Sequence, residues 1–593
     1  MNFSILLNNL IKEFKKNNFY KVYLEGKKLV DIKNDETDLL NLMGITCYKL
    51  DKLKESENYL KNSININNND FQTYLNLGMV LNKSGKYSES IKFISLSLKL
   101  NPRNTESYNQ MGIAYNKMLK NNDALNFFSK AINLNKNYYS SYVNMGLTHA
   151  LLKNYEIANK YYLKAIDLKP QNLDVYYYLG NSLNEIGQYE KSIEAYTKVI
   201  KSNPKHVKAY NHMGIAYSEI NKFDDAIRLY KTAIEINPKY KKPYNNLGHA
   251  LRQTGKVLEA IKSYDQAIKI DPNYAKANFG KGSCLLLLGK YREGWRYYKW
   301  RSSGKLLIKE IVESYSLPIL RKKNNLKSKK ILILSEQGLG DTIMFSRYAK
   351  ILADRGAIVT FRVQKRLYKI MLGLDDRIKI ITEIVNKNIF DFVVSLMDLP
   401  SIFDTTSETI PSKCPYIKSD IKNIKLWNDK IDNNKFNIGI CWKVGFEVDK
   451  GRSFSLINFK NLSKINRVQL ISLQKNDDDQ IDKFSRKFNI LSFKNLDEEA
   501  PFLDTAAIMK NLDLIITSDT SIAHLAGALD CKVWLILQKV PYWPWKIKNS
   551  RTLWYSKMKI FRQKYLGDWV YPFKQIEKQL DKELINYKTY KKN

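Results

Sequence analysis

The sequence predicts two unlike halves, an all-α solenoid of repeated helix pairs followed by an α/β domain of two lobes. Three observations carry this expectation. Gly44, Gly78, Gly112, Gly146, Gly180, Gly214, Gly248 and Gly282 stand 34 residues apart, and a fixed period of that length marks a stacked helical array. Prolines recur near the end of the period, at Pro102, Pro170, Pro204, Pro238 and Pro272. After Gly304 the rhythm stops, and from Lys330 short β-rich apolar runs alternate with amphipathic helical stretches, the pattern of a parallel sheet.

The residue types within the period account for two antiparallel helices per repeat. Glycine lets the helices approach closely, and the aromatics sixteen residues on (Phe128, Tyr162, Tyr196, Tyr230, Tyr264, Tyr298) fill the space between neighbouring pairs. Small residues stand at the twelfth position (Ser90, Ala124, Ala158, Ser192, Ala226, Ala260), and a tyrosine precedes six of the glycines by four. Proline keeps the second helix from running into the next repeat, because it lacks the N–H that a helix interior uses. Residues 37–308 therefore read as eight repeats. Carrying the register back puts Leu10 where the glycine should be, so residues 1–36 read as a degenerate capping pair at the N-terminus.

This array resembles the tetratricopeptide repeat, and the resemblance implies a concave inner surface that holds an extended peptide or another protein. Two residues before the marker glycines lie Asn76, Gln110, Asn144, Tyr178, His212 and Asn246. The repeats of O-linked N-acetylglucosamine transferases are similar and carry asparagines there, on the inner face. A carboxamide can donate to and accept from a peptide backbone without reading its side chains. The alternative is an ordinary solvated polar face.

Length and composition bound the rest. At about 150 residues per domain, 593 residues correspond to about four domain equivalents. With 44% hydrophobic and 12% aromatic residues there is ample core material, which excludes wholesale disorder. The longest apolar runs, such as Cys284–Leu288 and Val533–Leu537, are far shorter than the roughly 20 residues of a spanning helix. The N-terminal residues lack a basic segment, a sustained apolar run and a small-residue cleavage site, so a cytoplasmic protein is expected. Five scattered cysteines without a CxxC pair argue for reduced thiols rather than disulfides or structural zinc. The 97 basic and 59 acidic side chains give a net charge of +38. It divides into +18 over residues 1–300 and +20 over residues 301–593, so no basic arm points to nucleic acid. An evenly basic exterior instead suits an anionic polysaccharide or the inner face of a membrane, where the chain would sit peripherally.

Residues 309–329 read as a basic, irregular linker containing Pro318. Candidate strands then follow at Ile331–Ser335, Ile358–Val363, Phe392–Leu396, Ile438–Trp442, Val468–Leu473, Leu514–Thr517 and Val533–Leu537. A polar stretch near 420–436 divides a first lobe, 330–436, from a second, 437–593, which closes with C-terminal helices. The first strand runs into Ser335-Glu336-Gln337-Gly338-Leu339-Gly340-Asp341-Thr342 and a helix expected over Ile343–Arg355. Two glycines at such a turn allow close backbone approach to a ligand, although Ile343 occupies the place of a third. A second strand-to-helix turn, Thr517 to Leu525, sets short hydroxyls at a helix start, where N–H groups and the helix dipole favour a diphosphate.

At these residues the chain resembles glycosyltransferase family 9, the heptosyltransferase-like enzymes with a GT-B fold of two Rossmann-like lobes. The similar stretches are Glu336–Thr342, Gly451-Arg452-Ser453, Ser472-Leu473-Gln474, Asp504–Ala507, Asp519–Ala528 and Phe561-Arg562-Gln563, with the junction Gly294–Arg301. The resemblance implies transfer from a nucleotide-diphosphate sugar, as a substrate rather than a cofactor, with inversion and without a metal. It makes Asp341 the general base, against a plain helix N-cap as the alternative. It places Gly338, Gly340, Asp519, Thr520, Ser521 and His524 around the donor. Arg452, with Lys443 and Lys450 nearby, would face the leaving diphosphate, and Gln474 and Thr505 would lie near base and ribose. Pro544, where the family often has arginine between two tryptophans, leaves the donor's identity open. Asp477, Asp478 and Asp479 read as a solvated charged run rather than a metal site. A non-catalytic scaffold, with the repeats doing the binding and the α/β half degenerate, is the competing expectation.

Overall fold

The computed structural model describes residues 3–301, 309–310, 313–314, 317–384, 389–445, 449, 451–475, 481, 483–484 and 488–590. The chain divides into two compact units, Met1–Asn237 and Pro238–Asn593. The first consists of antiparallel helix pairs, from Phe3–Lys15 with Phe19–Ile32 to Val207–Glu219 with Phe223–Ile236. The marker glycines are where the partner helix lies closest. A Cβ at Gly112 would sit 2.5 Å from the Phe128 ring, and one at Gly214 would sit 2.6 Å from the Tyr230 ring. The serines twelve residues on are more than small. The hydroxyls of Ser56, Ser90 and Ser192 donate to the carbonyls of Gly44, Gly78 and Gly180 at 2.6–2.8 Å, tying the second helix to the first. Leu10 is buried in the core of the N-terminal pair with Val22, Leu39 and Met43, so the degenerate repeat packs on the first regular one.

The second unit opens with two more helix pairs, Lys241–Gln253 with Val257–Ile270 and Ala275–Leu287 with Tyr291–Tyr298. These last repeats thus fall in the same compact unit as the α/β part. The reason is packing: Trp295 donates its indole N–H to the Thr405 carbonyl at 2.9 Å and meets Trp543 edge-on at 5.2 Å. The last regular helix ends at Tyr298, while 302–308, the end of the expected repeat region, lies outside the described residues.

Two parallel sheets follow. The first contains β1 (Lys330–Leu334), β2 (Ile358–Arg362), β3 (Lys379–Ile381) and β4 (Phe392–Ser395), in the order β3-β2-β1-β4. The second contains β5 (Phe436–Cys441), β6 (Val468–Ser472), β7 (Ile490–Leu491), β8 (Leu514–Thr517), β9 (Val533–Leu537) and β10 (Met558–Arg562), in the order β10-β9-β8-β5-β6-β7. β5, β6, β8 and β9 are buried throughout, which matches their near-continuous apolar sequences. Their core takes in Trp442, Trp534 and Phe561, and the closing helix Val570–Tyr590 covers it through Phe573, Ile576, Leu580 and Leu584. One helix, rather than several, ends the described chain.

One expected element is corrected. The helix read over Ile343–Arg355 is two helices, Leu339–Phe345 and Arg347–Asp354. At the break, the Ser346 hydroxyl donates back to the Ile343 carbonyl at 2.9 Å and the Arg347 Nε–H to that of Met344; such local bonds compete with the helical ladder.

Candidate functional site

Strand order locates the site before any side chain is considered. In a parallel sheet the crevice outside the strands' carboxyl ends opens where the order reverses. That point lies beside β1 in the first sheet and between β5 and β8 in the second. The turns leaving β1 and β8 come together. A Cβ on Gly340 would lie 2.7 Å from His524 Cδ2 and 3.5 Å from Ser521 Cα, so only glycine permits this approach.

Asp341 is the third residue of its helix, not the N-cap. One carboxylate oxygen accepts the N–H of Gly338, the N-cap, at 3.2 Å; the other accepts the Tyr542 hydroxyl at 3.1 Å. Its side chain is partly buried, and desolvation pushes its pKa up to about 6, helped by the neighbouring Asp519 charge and opposed by the Tyr542 and Gly338 bonds and by Arg452. A carboxyl near this range can take a proton at neutral pH and release it again.

Opposite stands the turn Ser518–Ser521. Thr520 caps the helix Ser521–Ala528, its hydroxyl accepting the Ile522 N–H at 3.2 Å. Asp519 is buried, accepts the Trp545 indole N–H at 2.9 Å, and is pushed up by desolvation against the pull of Arg452 and Trp545. The Arg452 guanidinium reaches the Asp519 carbonyl at 3.3 Å and its carboxylate at 3.9 Å. The Arg452 backbone is fixed in a turn, with Gly451 at φ +76° and the N–H groups of Arg452 and Ser453 both on Asp449 Oδ1. His524 stacks on Trp545 at 5.0 Å and bonds Tyr555 through Nδ1 at 3.1 Å. Burial, with the Arg347 and Arg452 charges, pushes its pKa down to about 3, so it is a neutral imidazole.

Asp341, Gly338, Gly340, Arg452, Asp519, Thr520, Ser521 and His524 are thus brought to one place. Lys443 and Gln474 stand at the adjoining end of β5, where the Gln474 side-chain oxygen accepts the Lys443 N–H at 2.9 Å. Thr505 is fixed by Asp497, which its hydroxyl and N–H both bond at 2.5 and 3.1 Å, and the Asp497 carbonyl accepts the ammonium of Lys475, the residue after Gln474, at 3.0 Å. Lys450 and Asp477–Asp479 lie outside the described residues. Among the described residues no group of His, Cys, Asp and Glu is placed to hold a metal ion, all five cysteines are free thiols, and no helix is long and apolar enough to cross a membrane.

Sequence reasoning did not single out Tyr542, Tyr555 or Arg347, and read Tyr298 as a repeat aromatic in the Gly294–Arg301 junction rather than as a site residue. The Arg347 guanidinium is buried against Tyr416 and Tyr555, and donates to the carbonyls of Pro411 and Trp554 at 2.6 and 3.0 Å. The only sequence signal for Tyr542 is its place in the Pro541–Lys546 loop.

The inner-face candidates lie in both units. In the first, Asn76 bonds Asn41, Asn144 bonds Asn109 and His212 bonds Asn181, each across to the preceding repeat at 2.7–3.0 Å. Gln110 accepts from Asn82 and donates to Glu106. Much of this polar ladder therefore links repeats. Asn144, Tyr178 and His212 also line a groove of about 730 Å³ with Leu147, Leu151 and Tyr155. In the second unit Asn246 accepts from Asn245 at 3.1 Å.

Comparison with known proteins agrees with the array. Tetratricopeptide-repeat family models match residues 71–104, 139–172, 161–194, 180–221, 207–240, 229–262 and 248–289. Protein FlbA of Caulobacter vibrioides is 21% identical over 303 residues, 47% of this chain and 50% of its own; the chain thus spans about half the length of the curated relative it matches. Among solved structures, YrrB, described as a tetratricopeptide protein with an unusual peptide-binding site, is 20% identical over 32% of this chain and 97% of its own, at a TM-score of 0.29. MamA is 28% identical over 28% and 92%, with a TM-score of 0.27. The Cut9–Hcn1 structure is 18% identical over 47% and 55%, at 0.36. The chain carries a tetratricopeptide array followed by parallel sheets.

Proposed function

We propose that the protein is an inverting glycosyltransferase of the GT-B type, moving a sugar from a nucleotide-diphosphate sugar to an acceptor recruited by the repeats. The observation that carries this reading is the meeting of the Asp341 turn and the Asp519–His524 turn at the carboxyl ends of two parallel sheets, with Arg452 alongside. Asp341 takes the proton of the acceptor hydroxyl as its oxygen bonds to the anomeric carbon. The bond from that carbon to the phosphate oxygen breaks on the opposite face, which inverts the centre. The negative charge that develops on the departing diphosphate is met by Arg452 and by the N–H groups at the start of the Ser521–Ala528 helix. Lys443 and Gln474 flank this position, and Thr505 stands further along the same lobe.

Purified protein incubated with a panel of nucleotide sugars tests this. The expected result is slow hydrolysis or transfer from one donor, reduced about 10²- to 10⁴-fold by Asp341→Asn. If no donor is bound or cleaved and Asp341→Ala changes nothing, the catalytic reading fails.

The groove beside Asn144, Tyr178 and His212 favours a second reading, a protein-binding scaffold whose α/β domain is inactive. Under it, Asp341→Asn complements loss of the protein fully. Mass spectrometry of proteins and of extracted glycolipids from cells lacking the protein separates a protein acceptor from a lipid-linked or surface saccharide.

A further inference from the structure

We propose that Tyr298, in the last helix of the repeat array, is a positioning residue for Asp341 and acts on it through Tyr542. The inference rests on the reading of Asp341 as the base. The geometry is a chain of hydrogen bonds in which the Asp341 carboxylate is the nearer of two acceptors for Tyr542, with Gln337 Oε1 at 3.5 Å. Trp543 donates its indole N–H to the Tyr298 oxygen at 3.3 Å, the two phenol oxygens lie 2.9 Å apart, and Tyr542 reaches Asp341 Oδ1 at 3.1 Å. Each phenol has one proton. With the Tyr542 proton on the carboxylate, Tyr298 supplies its own to Tyr542, and the indole fills the acceptor side of Tyr298. Bonds aligned in this way polarise one another and favour the ionised carboxylate at their end.

Packing does not require the Tyr298 hydroxyl. At the same repeat position a phenyl ring, Phe128, serves against Gly112; in the last repeat Gly282 instead faces the backbone of Tyr297 and Tyr298, so the Tyr298 ring is held by its aromatic neighbours. Elsewhere the hydroxyl turns inward to its own repeats: Tyr196 bonds Asn181 and Tyr230 bonds Ser218. At Tyr298 it is directed at the α/β domain. The ring itself is clamped by Trp295, Phe279 and Trp543 at 5.3–5.9 Å. The other charged groups acting on Asp341 are Asp519 and Arg452 from the facing turns; His524, packed on Gly340, is neutral.

The test uses the full chain and a readout independent of activity. The melting-temperature difference between a protein and its Asp341→Asn variant, followed from pH 4 to 8, reports the titration of Asp341. It is measured in four backgrounds: the parent, Tyr542→Phe, Tyr298→Phe and, as a control for loss of a repeat hydroxyl, Tyr264→Phe. Both members of each pair carry the tyrosine change, so any general destabilisation cancels. Tyr542→Phe is expected to raise the midpoint by about one pH unit, and Tyr298→Phe by about a third of a unit. Tyr264→Phe should leave it in place. An unmoved midpoint with Tyr298→Phe, or an equal movement with Tyr264→Phe, overturns the proposal. The acid limb of donor hydrolysis should move with the midpoint; a moved midpoint in a protein that cleaves no donor would remove the glycosyltransferase reading and leave the link between Tyr298 and Asp341 standing.

Discussion

As pH rises from 4 to 7, the carboxyl of Asp341 loses its proton in a setting that disfavours the charge. Its folded pKa is raised from 3.8 to about 6, so the stability it contributes is present below pH 3.8 and is lost through about pH 6. Asp341→Asn removes that loss. The variant should gain roughly 2–3 kcal/mol relative to the parent between pH 4 and pH 7.5, since each unit corresponds to about 1.4 kcal/mol. Thermal melts of the pair at the two pH values check this, and an equal difference at both would contradict it. Trp545→Phe has the opposite sense. It keeps a ring against His524 but deletes the N–H on the buried Asp519 carboxylate, so destabilisation of about 1–3 kcal/mol is expected at pH 8, shrinking as Asp519 protonates in acid. At this scale the sequence was legible where a short segment closes on itself, as in the turns holding Asp341, Arg452 and Thr520. The pairing of Tyr298 with Tyr542 was illegible because they are 244 positions apart, although the Gly294–Arg301 junction already set the Tyr298 segment apart from the other repeats.

Among elements, the helix pairs follow from a period that each repeat restates, so errors in one are corrected by the next. The glycine rule is also the easiest to test. Gly214→Ala places a methyl 2.6 Å from the Tyr230 ring, and overpacking of about 1–3 kcal/mol should lower the melting temperature. The second change Tyr230→Leu, which removes the obstructing ring, should restore part of it. Strands were legible in the sheet interiors and at the β4 edge, and missed at the other three margins. β3, β7 and β10 are all edge strands, the first two only three and two residues long. β10 reads Met-Lys-Ile-Phe-Arg, with charges at two of five places; edges tolerate short and charged sequences because one side of the strand meets solvent. The broken helix after β1 was missed for a different reason: a serine and an arginine bond back to the preceding turn, and helical periodicity carries no trace of that.

At the scale of the whole molecule, the compact units do not divide where the repeats give way to the sheets. The boundary at Asn237–Pro238 leaves two helix pairs with the sheets. A fragment beginning at Pro238 should therefore unfold in one cooperative transition, whereas one beginning at Lys309 loses Trp295 and Tyr298, exposes Trp543, and should aggregate or melt broadly. Calorimetry and size-exclusion chromatography of the two fragments distinguish these outcomes. The net charge of +38 falls mostly in the second unit, which carries +29 against +9 in the first. Its cations matter locally, at Arg452 beside Asp519 and at Arg301.

Arg301 follows the final repeat helix and is 4% exposed. It holds Glu336 at the mouth of the Gly338–Asp341 turn, through Nε at 2.8 Å, and Asp398 through Nη2 at 2.8 Å. Removing one partner of such a buried pair strands the other charge, at about 3–5 kcal/mol. This divides the repeats into two classes of heritable part. Units of 34 residues upstream of Lys241 can be duplicated or deleted without touching a single one of these bonds, so the length of the array is free to drift. The pair that Arg301 follows is not interchangeable with its neighbours: a recombination event that replaced it and Arg301 with another repeat would deliver an intact helix pair and a broken turn.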